Sequence, residues 1–179
     1  SRPSYNRNKK LRSAPNTFCG FGNSPVGNTF VGVENGQIVF LGFGAKSSFS
    51  SLTYWNYDKN NEAAEELIAD IFSSSDHSFP TNQTGTAFQK MVWKALEEIP
   101  YGETCTYEDI AKTIGNPQGT RAVASAIGRN NISVLIPCHR VIGKNGALRG
   151  YRWGISIKEQ LLEWEQQQAT MQNDKRKVS

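Results

Sequence analysis

Apolar residues follow two different rhythms along this chain. Between residues 17 and 45 they form short stretches, Phe30-Val31-Gly32-Val33 and Ile38-Val39-Phe40-Leu41, set apart by Gly and Asn. The Asn35-Gly36 step between these two runs is a strong hairpin signal, so the segment predicts a small antiparallel sheet. Residues 47–61 are rich in Ser and Asn and read as loop, after which Ala63–Phe72 takes helical spacing with Leu67, Ile68, Ile71 and Phe72 on one side. A polar stretch over 73–85 reads as a linker. Beyond it the rhythm is helical and well punctuated. Thr86-Ala-Phe-Gln89 has the form of a capping box opening a helix to about Ile99, with Phe88, Val92, Leu96 and Ile99 inward. Pro100–Glu103 is a turn. Thr106-Tyr-Glu-Asp109 caps a second, short helix ending near Ile114, Gly115–Gly119 makes a tight connection, and a third helix runs from about Thr120 to Arg129. Two short helices joined by a Gly/Pro turn form a helix-turn-helix pattern. The β-branched run Ile132–Ile136 then predicts a strand leading into Pro137-Cys138-His139-Arg140, and Ser156-Ile-Lys-Glu159 caps a last helix through about Gln168.

This order predicts an α+β fold: a basic tail (1–15), an N-terminal α/β domain (16–84), a helical C-terminal domain (85–169) and a polar tail (170–179). The length of 179 residues suits one domain or two small ones. No apolar run approaches the roughly 20 residues of a membrane helix, and no basic-then-apolar leader is present, so membrane and secreted classes are not expected. Three cysteines, Cys19, Cys105 and Cys138, cannot pair completely and match no zinc spacing; with only His77 and His139 beside them, no metal site is expected. A reducing compartment follows.

The net charge is +4, and its placement says more than its size. Residues 1–12 hold five positive side chains and no acid, while residues 13–84 pair Lys46 and Lys59 with seven acids. Residues 110–158 hold eight positive side chains and neither Asp nor Glu. An acid-free window of that length inside a folded domain points to a polyanion as partner. It contains the third helix, whose small residues Ala122, Ala124, Ser125, Ala126 and Gly128 suit close approach to another backbone. Tight helix–helix packing would use the same residues.

Within that window Cys138 is the first candidate for chemistry. A thiol becomes a strong nucleophile when ionised, and neighbouring His, Arg or helix N-termini favour the thiolate. His139 and Arg140 follow at once. Adjacent residues of a regular strand point to opposite faces, so Cys138 and His139 can cooperate only if Pro137 turns the backbone. A buried structural cysteine is the plainer reading of the same dipeptide.

Ile136-Pro-Cys-His-Arg-Val141, preceded by Asn130 and followed by Gly150-Tyr-Arg-Trp-Gly154, resembles the signature of the O6-alkylguanine-DNA alkyltransferase family. Gly85–Leu96, Ile99-Pro-Tyr-Gly-Glu103, Thr106-Tyr107 and Gly115-Asn-Pro117 extend the resemblance over about 85–165, and the Tyr-Arg-Trp-Gly form is most similar to the C-terminal module of Ada-type proteins. Residues 17–84 match more loosely, where that family has a small ribonuclease-H-like domain; the C-terminal part would be winged-helix-like. The Ada group's four-cysteine zinc module and regulatory DNA-binding segment are not in this sequence, which implies a stand-alone or an excised repair domain.

The resemblance implies irreversible transfer of an alkyl group from O6-alkylguanine in DNA to Cys138, once per molecule and without a cofactor, with O4-alkylthymine as a second candidate substrate. His139 would take the thiol proton through a water and Glu165 would orient it. Tyr107 would donate to the leaving base, and Asn130 would fix the turn before the cysteine. Arg121 would fill the place of a flipped nucleotide while Ala122, Ala124, Ser125, Ala126, Gly128 and Arg129 meet the minor groove of double-stranded DNA. Tyr107, Tyr151 and the backbone of Arg152 would hold the base, with the backbone carbonyls of Cys138 and Val141. The protein would be a monomer, cytoplasmic in a prokaryote and nuclear in a eukaryote. Two other readings stand beside this one. Silent alkyltransferase-like proteins replace the acceptor cysteine, which is present here. A winged-helix module without chemistry leaves Cys138, His139 and Glu165 unexplained.

Overall fold

The structure, a computed structural model, describes residues 16–73 and 78–178. The tail predicted over 1–15, the middle of the linker with His77, and Ser179 lie outside the described residues. The chain divides into two compact units between Thr84 and Gly85.

In the first unit, strands β1 (Phe18–Ser24), β2 (Gly27–Glu34) and β3 (Gln37–Phe43) form an antiparallel meander in the order β1-β2-β3. The β2–β3 turn pairs Glu34 with Gln37 across Asn35 (φ 51°) and Gly36 (φ 76°), the left-handed pair that a tight hairpin requires. Helix α1 (Asn61–Phe72) starts where the Asn60 side chain accepts from Ala63 N at 3.0 Å, and it buries Ala64, Leu67, Ile68, Ile71 and Phe72. Glycines let α1 lie close on β1: a Cβ at Gly20 would sit 2.8 Å from Asn60 O, and one at Gly22 2.8 Å from Glu65 Cα. The predicted loop 47–61 is more ordered than its polar composition suggests. It holds two 3-10 turns, Lys46–Ser48 and Thr53–Asn56, because Phe49 between them is fully buried and stacks on Phe30 at 4.7 Å. The linker is also engaged: Ile38 N donates to Pro80 O, Asn82 N donates to Ile38 O, and Phe79 is buried.

The second unit opens with α2 (Ala87–Glu97), closed at its start by a reciprocal capping box: Gln89 N donates to Thr86 Oγ1 at 3.1 Å and Thr86 N to Gln89 Oε1 at 3.0 Å. Val92, Trp93, Ala95 and Leu96 are buried; Phe88, expected inward, is only half-buried in the first turn. Replacing Thr86 by Ala should lower the stability of this unit by about 1 kcal/mol, read as a shift in the urea midpoint at unchanged slope; an unmoved midpoint would show the box to be idle. A second capping box, Thr106 with Asp109, opens α3 (Tyr107–Thr113), and Gly115 (φ 77°) turns the chain toward α4 (Thr120–Gly128). This is the expected helix-turn-helix.

Two expectations fail in this unit. Ile132–Ile136 is not a strand. It is a turn with Val134 at φ 71°, held by the buried Asn130, whose side chain accepts from Ile132 N (3.0 Å) and donates to Ile136 O (2.8 Å). Local β-propensity loses here to an internal side-chain template. The strand pairing of this unit, among the described residues, is parallel and short, between β4 (Cys105–Thr106) and β5 (Val141–Ile142). The last helix, α5 (Ile155–Val178), continues about ten residues beyond Gln168 into the predicted polar tail. Its Ala, Met, Gln and Lys residues are good helix formers, and no Gly or Pro interrupts them.

Candidate active site and nucleic-acid interface

Cys138 begins a 3-10 turn, Cys138–Arg140, that follows Pro137. The tight turn puts Cys138 on one side and both His139 and Arg140 on the other, where a regular strand would alternate them. Cys138 is 7% exposed and lines a cavity of about 860 Å³, together with Tyr107, Arg121, Asn130, Tyr151 and Arg152. His139 and Arg140 point inward to α5. His139 Nε2 lies 2.5 Å from Glu165 Oε1, and all three side chains are buried. Arg140 grips the same carboxylate from the other side, with Nε 2.8 Å from Oε2 and Nη2 3.0 Å from Oε1, and its Nη1 donates to Ile99 O at 2.8 Å.

Burial and neighbouring charges bias the protonation state of each group. Burial would raise the Glu165 carboxyl, but the hydrogen bonds of His139 and Arg140, the charge of Arg140 and that of His139 once it is protonated in acid prevail and bring it down to about 2. Burial lowers the His139 pKa, with Glu165 opposing. A neutral His139 beside an anionic Glu165 carries its proton on Nε2 and donates it to Glu165. Nδ1 is then an acceptor, and it is buried with no hydrogen-bond partner among the described residues. Burial also pushes the Cys138 thiol up, while Asn130 and Lys158 pull it back. Cys138 therefore rests as the thiol and needs a base to react.

Lys158 does not stand out in the sequence. It is fully buried on α5, its Nζ donates to Arg149 O at 2.7 Å, and burial lowers its pKa while Cys138 raises it. Tyr107 OH donates to the same carbonyl at 3.4 Å. A signal was available. Lys158, Leu161 and Glu165 fall at i, i+3 and i+7, so two charged residues share the buried face with Leu161. Arg140 as the second grip on Glu165 was also unforeseen.

The remaining expected residues divide. Tyr151 lines the cavity; its hydroxyl is buried outside hydrogen-bond geometry, with Ser133 and Cys138 near, and burial pushes its pKa well up. Arg121, Ala124 and Gly128 line the cavity from α4, and Ala122, Ser125 and Arg129 are exposed. Ala126 is not on that face. It is 3% exposed, and its carbonyl accepts from Trp93 Nε1 at 2.9 Å, so packing against α2 explains its size. The Val141 side chain is fully buried in the β4–β5 pair, so the contact expected of this residue is left to its backbone carbonyl. Among the described residues no three His, Cys, Asp or Glu side chains are placed to hold a metal, and no helix is long and apolar enough to cross a membrane.

A buried thiol on the wall of a cavity, a His–Glu pair behind it and a helix-turn-helix lining another wall define a cysteine-dependent enzyme built on a DNA-binding scaffold. Residues 87–167 match the family described as 6-O-methylguanine DNA methyltransferase, DNA binding domain. The chain is 44% identical over 147 residues to the methylated-DNA–protein-cysteine methyltransferase of Methanosarcina acetivorans, covering 79% of this chain and 94% of that one. It is 53% identical over 85 residues to the bifunctional transcriptional activator/DNA repair enzyme Ada of Escherichia coli, covering 48% of this chain and 24% of that one. Among solved structures, Mycobacterium tuberculosis OGT in complex with DNA is similar at 35% identity and a TM-score of 0.71, over 84% of this chain and 93% of that one. The chain belongs to the methylated-DNA–protein-cysteine methyltransferase family.

Proposed function

We propose that this protein repairs DNA by moving the alkyl group of O6-alkylguanine directly and irreversibly onto Cys138 Sγ. The observation that carries this reading is the placement of Cys138 on the cavity wall with the His139–Glu165 pair immediately behind it. Nδ1 of His139 takes the thiol proton through an intervening water. The thiolate attacks the alkyl carbon, an S–C bond forms, the C–O6 bond breaks and its electrons leave with guanine. Tyr107 donates a hydrogen bond to a ring nitrogen of that leaving base. Glu165, fixed by Arg140, keeps His139 in the tautomer that accepts at Nδ1. Buried Lys158 offsets the charge that develops on sulfur. The product thioether does not hydrolyse, so each molecule acts once.

DNA lies along the α4 face. The exposed small residues Ala122, Ala124, Ser125 and Gly128 leave the helix slim enough for the minor groove. A lesion stacked in a duplex is out of reach of a recessed thiol, so the nucleotide flips into the cavity and Arg121 occupies its place. The protein acts as a monomer. Incubation with a duplex carrying a radiolabelled O6-methyl group should place one label per protein on the peptide containing Cys138. Label on another residue, or repeated turnover, would overturn the reading.

A further inference from the structure

A second concavity of about 410 Å³ lies at the C-terminal end of α4, lined by Gly128, Arg129, Asn131 and Arg152. Two of its four lining residues are arginines and none is acidic. Arg152 also lines the larger cavity, so its side chain forms part of the wall between the two. It is held there: Nη1 donates to Asn131 Oδ1 at 2.7 Å and lies 3.5 Å from Asn130 O, and the guanidinium stacks 4.8 Å from the Trp153 ring. Asn130 is the residue that templates the turn leading to Cys138. Arg129, the C-cap of α4, is exposed.

We propose that this concavity is a subsite for one backbone phosphate of the DNA, taken by Arg129 and Arg152. The inference rests on DNA lying along α4 and adds to it a fixed point of register. A tetrahedral dianion or a phosphodiester suits paired guanidinium groups, whose planar forks match phosphate oxygens. Carbonyls at the end of α4 oppose an anion with about half a charge, against two full charges from the arginines. Gly128 has no neighbour within 4 Å of where a Cβ would stand, which leaves the floor open to a sugar-phosphate strand. The position of the phosphate follows from the helix. Arg121 and Arg129 are eight residues apart, about 12 Å at 1.5 Å per residue. A DNA strand advances about 3.4 Å per nucleotide, so the phosphate is within about four nucleotides of the lesion. Because Arg152 touches the loop that carries Cys138, a phosphate seated there also braces that loop.

The test combines single-phosphate neutralisation with mutation. Methylphosphonates are placed one at a time at the four phosphates on either side of O6-methylguanine, and the second-order rate of Cys138 methylation is measured at low protein concentration. For the wild-type protein one position should slow the reaction by roughly tenfold, the scale of a charge-assisted hydrogen bond. In Arg129→Ala that position should cost clearly less than in the wild type, the remainder being the share of Arg152, whereas in Arg129→Lys, which keeps the charge, more of the position-specific loss should remain. If the effects of Arg129→Ala and of every methylphosphonate simply multiply, Arg129 holds no particular phosphate and the subsite is refuted. Wild-type reaction with the unmodified duplex reads the functional assignment separately, since it proceeds whether or not this concavity takes a phosphate.

Discussion

Cys138→Ser should abolish methyl transfer, by a factor on the order of a million if the cysteine and its base act as one unit, while the variant still binds the lesion duplex. The substitution is nearly isosteric at a 7% exposed site, so the cavity and the Asn130-held turn should survive it. What is lost is the ionisable thiol. A serine hydroxyl is a far weaker acid, and neutral His139 cannot deprotonate it to a useful extent. Label transfer and gel-shift binding on the same preparation separate the two effects. Wild-type label on the serine variant would move the acceptor role elsewhere; lost binding would mean that the thiol shapes the interface.

Glu165→Gln should produce the largest change in stability, about 3–5 kcal/mol, because it removes the charge that compensates buried Arg140. It should also slow transfer, since a neutral amide in place of the carboxylate no longer dictates the His139 tautomer. The same pair sets the acid response of the wild-type protein. Glu165 has a folded pKa of about 2 against an ordinary 4.5, so its contribution is complete above about pH 4.5 and is lost as pH falls toward 2. His139 acts in the same direction at higher pH. Its folded pKa is lowered from 6.5, so protons bind the unfolded chain first and stability declines as pH falls through and below 6.5. Urea midpoints across pH 2–7 should therefore fall toward acid in the wild type, and Glu165→Gln should lose the part of that slope below about 4.5. A variant with wild-type stability and an unchanged slope would show that the carboxylate is not ionised in the folded state.

Much of the fold was legible where local chemistry and tertiary packing agree. The Asn35-Gly36 turn, both Thr capping boxes and the Gly115 connection are each decided within a few residues, and the structure places them as the sequence suggests. The errors have a common cause. Ile132–Ile136 has strand propensity, but one buried amide six residues from its far contact overrides it. Ala126 looked like part of a bare surface because composition does not say which side of a helix faces solvent; its partner Trp93 is 33 residues away. Lys158 was invisible for the opposite reason. Lysine is taken for surface unless its phase with Leu161 and Glu165 is counted. The larger family resemblance supplied the pairing of His139 with Glu165, which no spacing rule would join across 26 residues.

The distance in sequence between Arg140 and Glu165 also orders events during synthesis. Cys138, His139 and Arg140 leave the ribosome ahead of the carboxylate that neutralises them, with 25 residues separating Arg140 from Glu165. At the usual rate of about 5–20 residues per second, that is a delay of about one to five seconds. Until α5 arrives, the arginine lacks its carboxylate and keeps only the Ile99 carbonyl, and the turn that carries the thiol is held by Asn130 and the β4–β5 pair alone. The nascent chain can fold its first sheet through short hairpins alone, but the reactive centre waits for the last helix. A single-use protein thereby keeps its acceptor site unassembled until the helix-turn-helix that would direct it has already been made.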